Sequence, residues 1–141
     1  MVLDPVETAI QIAGQVVLGP EPGRIIREAR KRYGFTQDWL AAHLEVRRES
    51  LSRIESGHST PTLDVVARFA RTMALAQTVR AHAALLERRG VSPSPRDFRP
   101  QGTELGLAPE VAEDVARVSL ASYTAKRDTL LEGLRTPGGW P

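Results

Sequence analysis

The chain has 141 residues, of which 41% are apolar, enough for one domain with a hydrophobic core. It has no cysteine, so disulfides and thiolate zinc sites are excluded, and no apolar run approaches the roughly 20 residues of a membrane-spanning helix. The net charge is only +2, but the positive excess lies in residues 21–100, while both ends are acidic. No signal peptide is predicted at the N-terminus, and we expect a cytoplasmic protein.

The first predicted helix covers residues 4–18. Asp4 suits its N-cap, Pro5 its first position and Gly19 its end. Its apolar side chains form one stripe, made of Val6, Ala9, Ile10, Ala13, Val16 and Val17. The stripe must be buried either against the same domain or against a second copy of the chain, and the pattern does not choose between them.

The remaining chain predicts more helices and no strand, so the expected class is all-α. Helical periodicity and caps place five helices over residues 24–33, 37–44, 47–56, 62–73 and 76–89, with Leu63 among the inward side chains. Proline, serine and glycine then indicate a stiff, irregular linker, followed by a helix over residues 109–134. The predicted divisions are 1–22 (N-terminal helix and loop), 23–90 (helical domain), 91–108 (linker) and 109–141 (C-terminal helix and tail).

Two short helices within residues 37–56 organise the prediction. Leu40, Ala41 and Leu44 share one face of the first helix, and Leu51 and Ile54 share one face of the second. Two such helices joined by a tight turn make a helix-turn-helix, whose second helix can enter the major groove of DNA.

The stretch from Arg24 to Met73 resembles the phage repressor and Cro family of helix-turn-helix domains. The matching residues are R-x-x-R (Arg27, Arg30), T-Q-x-x-L-A (Thr36, Gln37, Leu40, Ala41), I-E-S-G (Ile54 to Gly57), Pro61, Leu63 and Ala70. Residues 12–23 also look like an archaeal subgroup of these regulators. The resemblance implies a five-helix DNA-binding domain, here with an extra helix at each end, and an internal ion pair between Arg30 and Glu55.

The second helix of the motif carries the residues expected to read DNA. By resemblance, the base contacts fall on Arg48, Glu49 and Ser52, with Arg53 at the margin. The chemistry agrees, because arginine can donate to guanine O6 and N7 and glutamate can accept from cytosine N4. The resemblance also places Gln37 on a phosphate, and further phosphate contacts are expected from Arg47, Ser56, His58 and Ser59.

Two positions depart from the family pattern. Glu45 occupies a turn position that is usually glycine, so the turn is expected to be either strained or reshaped. Trp39 occupies a position that is usually polar and exposed. Two interpretations remain open for it: a contact surface, or cover by the N-terminal helix.

Other chemistry is not indicated. His43, His58 and His82 are scattered without ligand spacing, and we expect His43 and His82 to be solvated and no metal to be bound. The acidic group Glu110, Glu113 and Asp114 is explained by the dipole at a helix start. No catalytic or cofactor motif is present, so neither an enzyme nor a cofactor is expected.

The sequence therefore predicts a transcriptional regulator that binds palindromic double-stranded DNA as a homodimer, through the N-terminal or C-terminal helices or both, without a membrane partner. One alternative is a protein-interaction module that bridges transcription factors or acts as an antitoxin. A second is an enzyme with a similar N-terminal domain, such as a cyanase, but no strand-rich segment follows Gly102.

Overall fold

The computed structural model describes residues 4–135. In chain order, the elements are α1 (Pro5–Leu18), α2 (Pro22–Arg32), α3 (Gln37–Leu44), α4 (Arg48–Glu55), α5 (Leu63–Arg88), a 3-10 helix (Pro95–Phe98), α6 (Arg99–Glu104) and α7 (Pro109–Arg135). The predicted all-α class is confirmed over these residues, and none of the described helices is long and apolar enough to cross a membrane. The tail at residues 136–141, including Trp140, lies outside the described residues.

Helix α1 divides its apolar side chains between two sides. Its start agrees with the prediction, since the Asp4 carboxylate accepts the backbone N–H of Val6 at 3.0 Å. Val16 is fully buried and α1 packs along α5, but Ile10 and Val17 are 67% and 54% exposed. The predicted stripe is therefore wider than the face that the domain covers.

Helix α5 is the central element of the core. It was predicted as two helices broken near residues 74–75, but it runs unbroken from Leu63 to Arg88. The segment between Met73 and Ala76 contains no glycine or proline, and alanine, leucine and methionine are strong helix formers. All four side chains from 73 to 76 are buried. Helix α5 is surrounded by four other helices that pack against it, namely α1, α3, α6 and α7.

One predicted core residue of α5 is misplaced. Leu63 is 76% exposed, because it is the first residue of the helix and lies outside the packed face.

Residues 91–108 are not the irregular linker that their composition predicts. They form the 3-10 helix and α6, and Phe98 between them is fully buried. The ring of Phe98 contacts His82 edge-on, with centroids 5.9 Å apart, so His82 is half-buried rather than solvated. Gly102 allows α6 to approach α7, because a Cβ there would lie 2.4 Å from the Cβ of Ala112. Residues 91–108 and α7 therefore share one hydrophobic core with helices α2 to α5.

The burial of Phe98 gives a test of this architecture. We expect Phe98→Ala to lower the free energy of unfolding by about 3–5 kcal/mol, because it leaves a large cavity in a packed core. Urea denaturation followed by circular dichroism measures the change.

The matched control is Val91→Ala, since Val91 is 47% exposed in the same segment and its loss should change stability by less than about 0.5 kcal/mol. If Phe98→Ala lowered stability as little as Val91→Ala, residues 91–108 would be a solvated linker.

Candidate nucleic-acid interface

Helices α3 and α4 pack through the apolar side chains that the spacing predicts. Leu40, Leu44 and Leu51 are fully buried, and the small Ala41 is 3% exposed. Thr36 caps α3 by accepting the backbone N–H of Trp39 at 3.1 Å. The second helix is one residue shorter at each end than predicted, from Arg48 to Glu55.

The turn between the two helices keeps the left-handed conformation that glycine usually supplies. Glu45 has φ 57° and ψ 41°, which costs a residue with a side chain about 1 kcal/mol. Its carboxylate pairs with Arg68 of α5 at 2.8 Å, and Arg68 also reaches the carbonyl of Leu44. This exposed ion pair offsets part of the strain, so the turn is strained but not reshaped.

A buried ion pair joins α2 to the end of α4. Arg30 donates through Nε to one Glu55 oxygen at 2.8 Å and through Nη2 to the other at 3.0 Å. The two side chains are 11% and 3% exposed. Arg30 also donates to the carbonyl of Phe35, and Gln37 of α3 donates to Glu55 at 3.0 Å. Helices α2 and α3 are thereby both bound to one carboxylate of α4, which sets the angle of α4.

A second close approach supports the same junction. A Cβ at Gly23 would lie 1.8 Å from the carbonyl oxygen of Ile54, so only glycine lets the start of α2 touch the end of α4 here.

The outer face of α4 is open to solvent. Its exposed side chains are those expected to read bases, namely Arg48, Glu49, Ser52 and Arg53. Together with Gln37 they line one shallow groove. Arg48 lies 3.6 Å from the carboxylate of Asp38, a partner that sequence reasoning missed. Both side chains are largely exposed, so this pair is weak and can exchange.

The residues expected on phosphates lie at both ends of α4. Arg47 precedes the helix and is exposed. At the other end, the hydroxyl of Ser56 is hydrogen-bonded to Nδ1 of His58 at 2.7 Å, and both residues are exposed. Ser59 is half-buried, as is Gln37, whereas the other three residues of the set are exposed.

Trp39 fits neither sequence interpretation. It is half-buried, and its indole N–H donates to Asp114 of α7 at 2.8 Å, whereas none of its hydrogen bonds or ring contacts within residues 4–135 is with α1. Its ring stacks on Phe35 at 4.2 Å and contacts the His43 ring at 3.9 Å.

His43 is likewise not a solvated histidine. Its Nε2 lies 2.8 Å from the same Asp114 oxygen that accepts the Trp39 indole N–H, and its side chain is 13% exposed. Asp114 therefore holds α7 to α3, and Glu113 binds Arg99, so the acidic group does more than face a helix dipole. Trp39 and His43 are at positions i and i+4 of one helix, so the sequence places their rings side by side. Their common partner, Asp114, lies more than 70 positions away and does not follow from spacing.

The environment of Asp114 changes its acidity. Partial burial raises the pKa of Asp114, but hydrogen bonds from His43, Arg117 and Trp39 outweigh burial and leave that pKa below its ordinary value. Among the described residues, no group of three or more His, Asp or Glu side chains is arranged to hold a metal ion.

The helix-turn-helix domain family model matches residues 23–83, which include α2, α3, α4 and most of α5. Residues 23–83 are a helix-turn-helix domain. An uncharacterized HTH-type transcriptional regulator from Archaeoglobus fulgidus is 44% identical over 46 residues. That match covers 33% of this chain and 66% of the relative, just under two thirds of its length. No solved structure matches the chain.

These matches confirm the predicted helix-turn-helix fold and the resemblance to regulators of this kind, including an archaeal one. The helix-turn-helix domain has four helices here rather than five, because α5 replaces the last two that were predicted.

The contact between α7 and α3 gives a pH-dependent prediction. We expect Asp114→Asn to destabilise the domain at neutral pH, because the amide is a weaker acceptor for Trp39 and His43. Since the folded pKa of Asp114 lies below its ordinary value of 3.8, the carboxylate's contribution is fully present well above that pH. It is lost as the pH falls through the folded pKa, so the two proteins should converge in strong acid.

Thermal unfolding of both proteins over a series of pH values, followed by circular dichroism, measures this difference. Glu110→Gln removes an exposed carboxylate from the first turn of the same helix and should have little effect. Equal stabilities of wild type and Asp114→Asn at neutral pH would show that this contact contributes nothing.

Proposed function

We propose that the chain is a transcriptional regulator that reads a specific DNA sequence by placing α4 in the major groove. The observation that carries the proposal is the outer face of α4, where Arg48, Glu49 and Ser52 are exposed together on a helix anchored from behind by Glu55. A rigid helix with free donors and acceptors on its outer side is what direct readout of bases requires.

The chemistry of this face suggests the kind of half-site. Arg48 can leave Asp38 and donate to O6 and N7 of guanine, since the exposed pair with Asp38 is worth no more than about 1 kcal/mol. Glu49, beside it, can accept from N4 of cytosine. Arg53 lies further along the same groove, where it can extend the contact. The proposed half-site therefore contains G·C pairs.

Phosphate contacts would hold α4 in register. Gln37 uses one amide hydrogen on Glu55, and its second is available for a phosphate oxygen, so the side chain is already oriented. Arg47 and the Ser56–His58 pair flank the helix at its two ends, and Ser59 follows. Such contacts position the protein without reading sequence.

Two copies on a palindrome would multiply a modest affinity, with half-sites one helical turn apart. The proposed contact between copies uses side chains that the domain leaves uncovered. On α1 these are Ile10, Val17 and Leu18, and near the end of α7 they are Leu130, Leu131 and Leu134. Acting on DNA in this way, the protein would have no catalytic role and would work in the cytoplasm.

Selection of bound sequences from a random duplex pool tests the readout. We expect enrichment of a two-fold symmetric site containing G·C pairs, with affinity that falls steeply as salt rises. Arg48→Ala should relax base preference at one position of each half-site, by about 1–3 kcal/mol of discrimination. The neighbouring Arg47→Ala is the matched control, because loss of a phosphate contact should weaken all sequences alike.

A wild-type protein that binds no duplex even at low salt would contradict the proposal. A stoichiometric protein partner found in that case would favour the interaction-module alternative.

Sedimentation of the free protein tests the dimer. We expect a dimer at micromolar concentration that Ile10→Gln or Leu134→Gln weakens at least tenfold, according to which helix forms the contact, because a polar side chain replaces exposed apolar surface. Leu63→Gln is the control, since Leu63 is equally exposed but lies on neither surface. A protein that stays monomeric both free and on its selected site would overturn this part.

A further inference from the structure

Helix α2 presents two cations beside the helix-turn-helix. Arg27 and Lys31 lie one turn apart and are both exposed. They border a shallow groove between α2 and α4 whose other wall includes Gln37, Ser52 and Ser56. The two cations are therefore on the same side of the domain as the proposed DNA-reading face.

The acidic groups around these cations are already engaged. Glu28, next to Arg27, accepts from Arg24 at 2.9 Å. Glu55 in the groove is buried, and both its oxygens accept hydrogen bonds from Arg30 and Gln37. The side chains of Arg27 and Lys31 form no hydrogen bond or ion pair within residues 4–135, in contrast to those of Arg24 and Arg30. Their positive charge is thus uncompensated at the groove.

The groove as a whole offers donors to an anion. Two free cations, the hydroxyl of Ser52 and the second amide hydrogen of Gln37 face one space, and the carboxylate of Glu55 is neutralised. Arg89 and Arg96 are exposed as well, but they lie outside α2 to α4 and are not part of this groove. Cations that converge with neutral donors are typical of contacts to the DNA backbone.

We propose that Arg27 and Lys31 are a second phosphate anchor, which holds α2 to the DNA strand beside the major groove that α4 enters. This inference rests on the proposed DNA-binding function and deepens it. The anchor would position α4 through the Arg30–Glu55 pair, because Arg30 lies on α2 between the two cations. It carries no sequence information, so its loss affects every duplex.

The test measures binding affinity as a function of salt concentration, using anisotropy of a labelled duplex. Two unrelated duplex sequences are compared for the wild type and for the double variant Arg27→Gln, Lys31→Gln. Each phosphate contact contributes about 0.9 to the slope of log affinity against log salt. The double variant should therefore show a slope closer to zero by roughly 1.8 on both duplexes, and each single variant should show about half that change.

The matched control is Arg89→Gln, Arg96→Gln, which removes the same charge from exposed positions outside α2 to α4. Its slope should equal that of the wild type, and circular dichroism should give all variants the same helix content. Equal slopes for wild type and the α2 double variant, or equal changes in the α2 and control variants, would overturn the anchor.

These outcomes differ from failure of the underlying function. If the wild type binds and Arg48→Ala relaxes base preference while the α2 variant keeps the full slope, the anchor alone is wrong. If the wild type binds no duplex, both proposals fall.

Discussion

The arrangement of the helix-turn-helix depends on one buried carboxylate. Glu55 accepts three hydrogen bonds, two from Arg30 and one from Gln37, and so ties α4 to both α2 and α3. Removing one member of such a pair leaves an uncompensated buried charge, which typically costs about 3–5 kcal/mol. The apolar contacts of Leu51 and Ile54 hold α4 against the core but do not by themselves fix its rotation. A bidentate pair does, because the planar guanidinium fits the carboxylate in one geometry.

The C-terminal half of the chain extends this rigidity. Helix α7 packs on α5, and its Val115 and Ala116 are fully buried. Asp114 on the same helix reaches both aromatic side chains of α3. Further along, Arg80 of α5 lies over the Tyr33 ring at 4.4 Å and donates to the carbonyl of Arg32 and to Ser122 of α7. The helix-turn-helix is thus held from behind by α7 at two points, one on α3 and one at the end of α2. A displacement of α7 would therefore disturb contacts to α2 and α3, which support the candidate interface.

The sequence predicted the parts of the fold that depend on local rules, and missed those that depend on distant neighbours. The caps at Asp4, Thr36 and Thr62 are visible in the sequence because each acts on the next few residues, and each is formed. The break predicted within α5 was wrong because no residue there stops a helix. Residues 91–108 looked like a linker because their composition outweighed Phe98, whose burial depends on α5 and α7. Asp114 could not be matched with Trp39 from spacing alone. Of the candidate site, the placement of Arg30 opposite Glu55 came from the family resemblance, whereas Asp38 beside Arg48 did not follow from it.

The modest net charge of +2 does not argue against a polyanionic partner, because the acids and bases are unevenly paired. Three nearby carboxylates are each paired with an arginine, namely Glu28, Glu45 and Glu55. Within the described part of the chain, no ion pair is formed by the side chains of Arg27, Lys31, Arg47 and Arg53. Glu49 is the exception on α4, an exposed carboxylate without an ion pair in that part. Close to phosphates, the Glu49 carboxylate would repel a duplex unless it accepts a hydrogen bond from a base. On the proposed function, a negative charge at that position would weaken non-specific binding more than specific binding, and so raise the ratio between them.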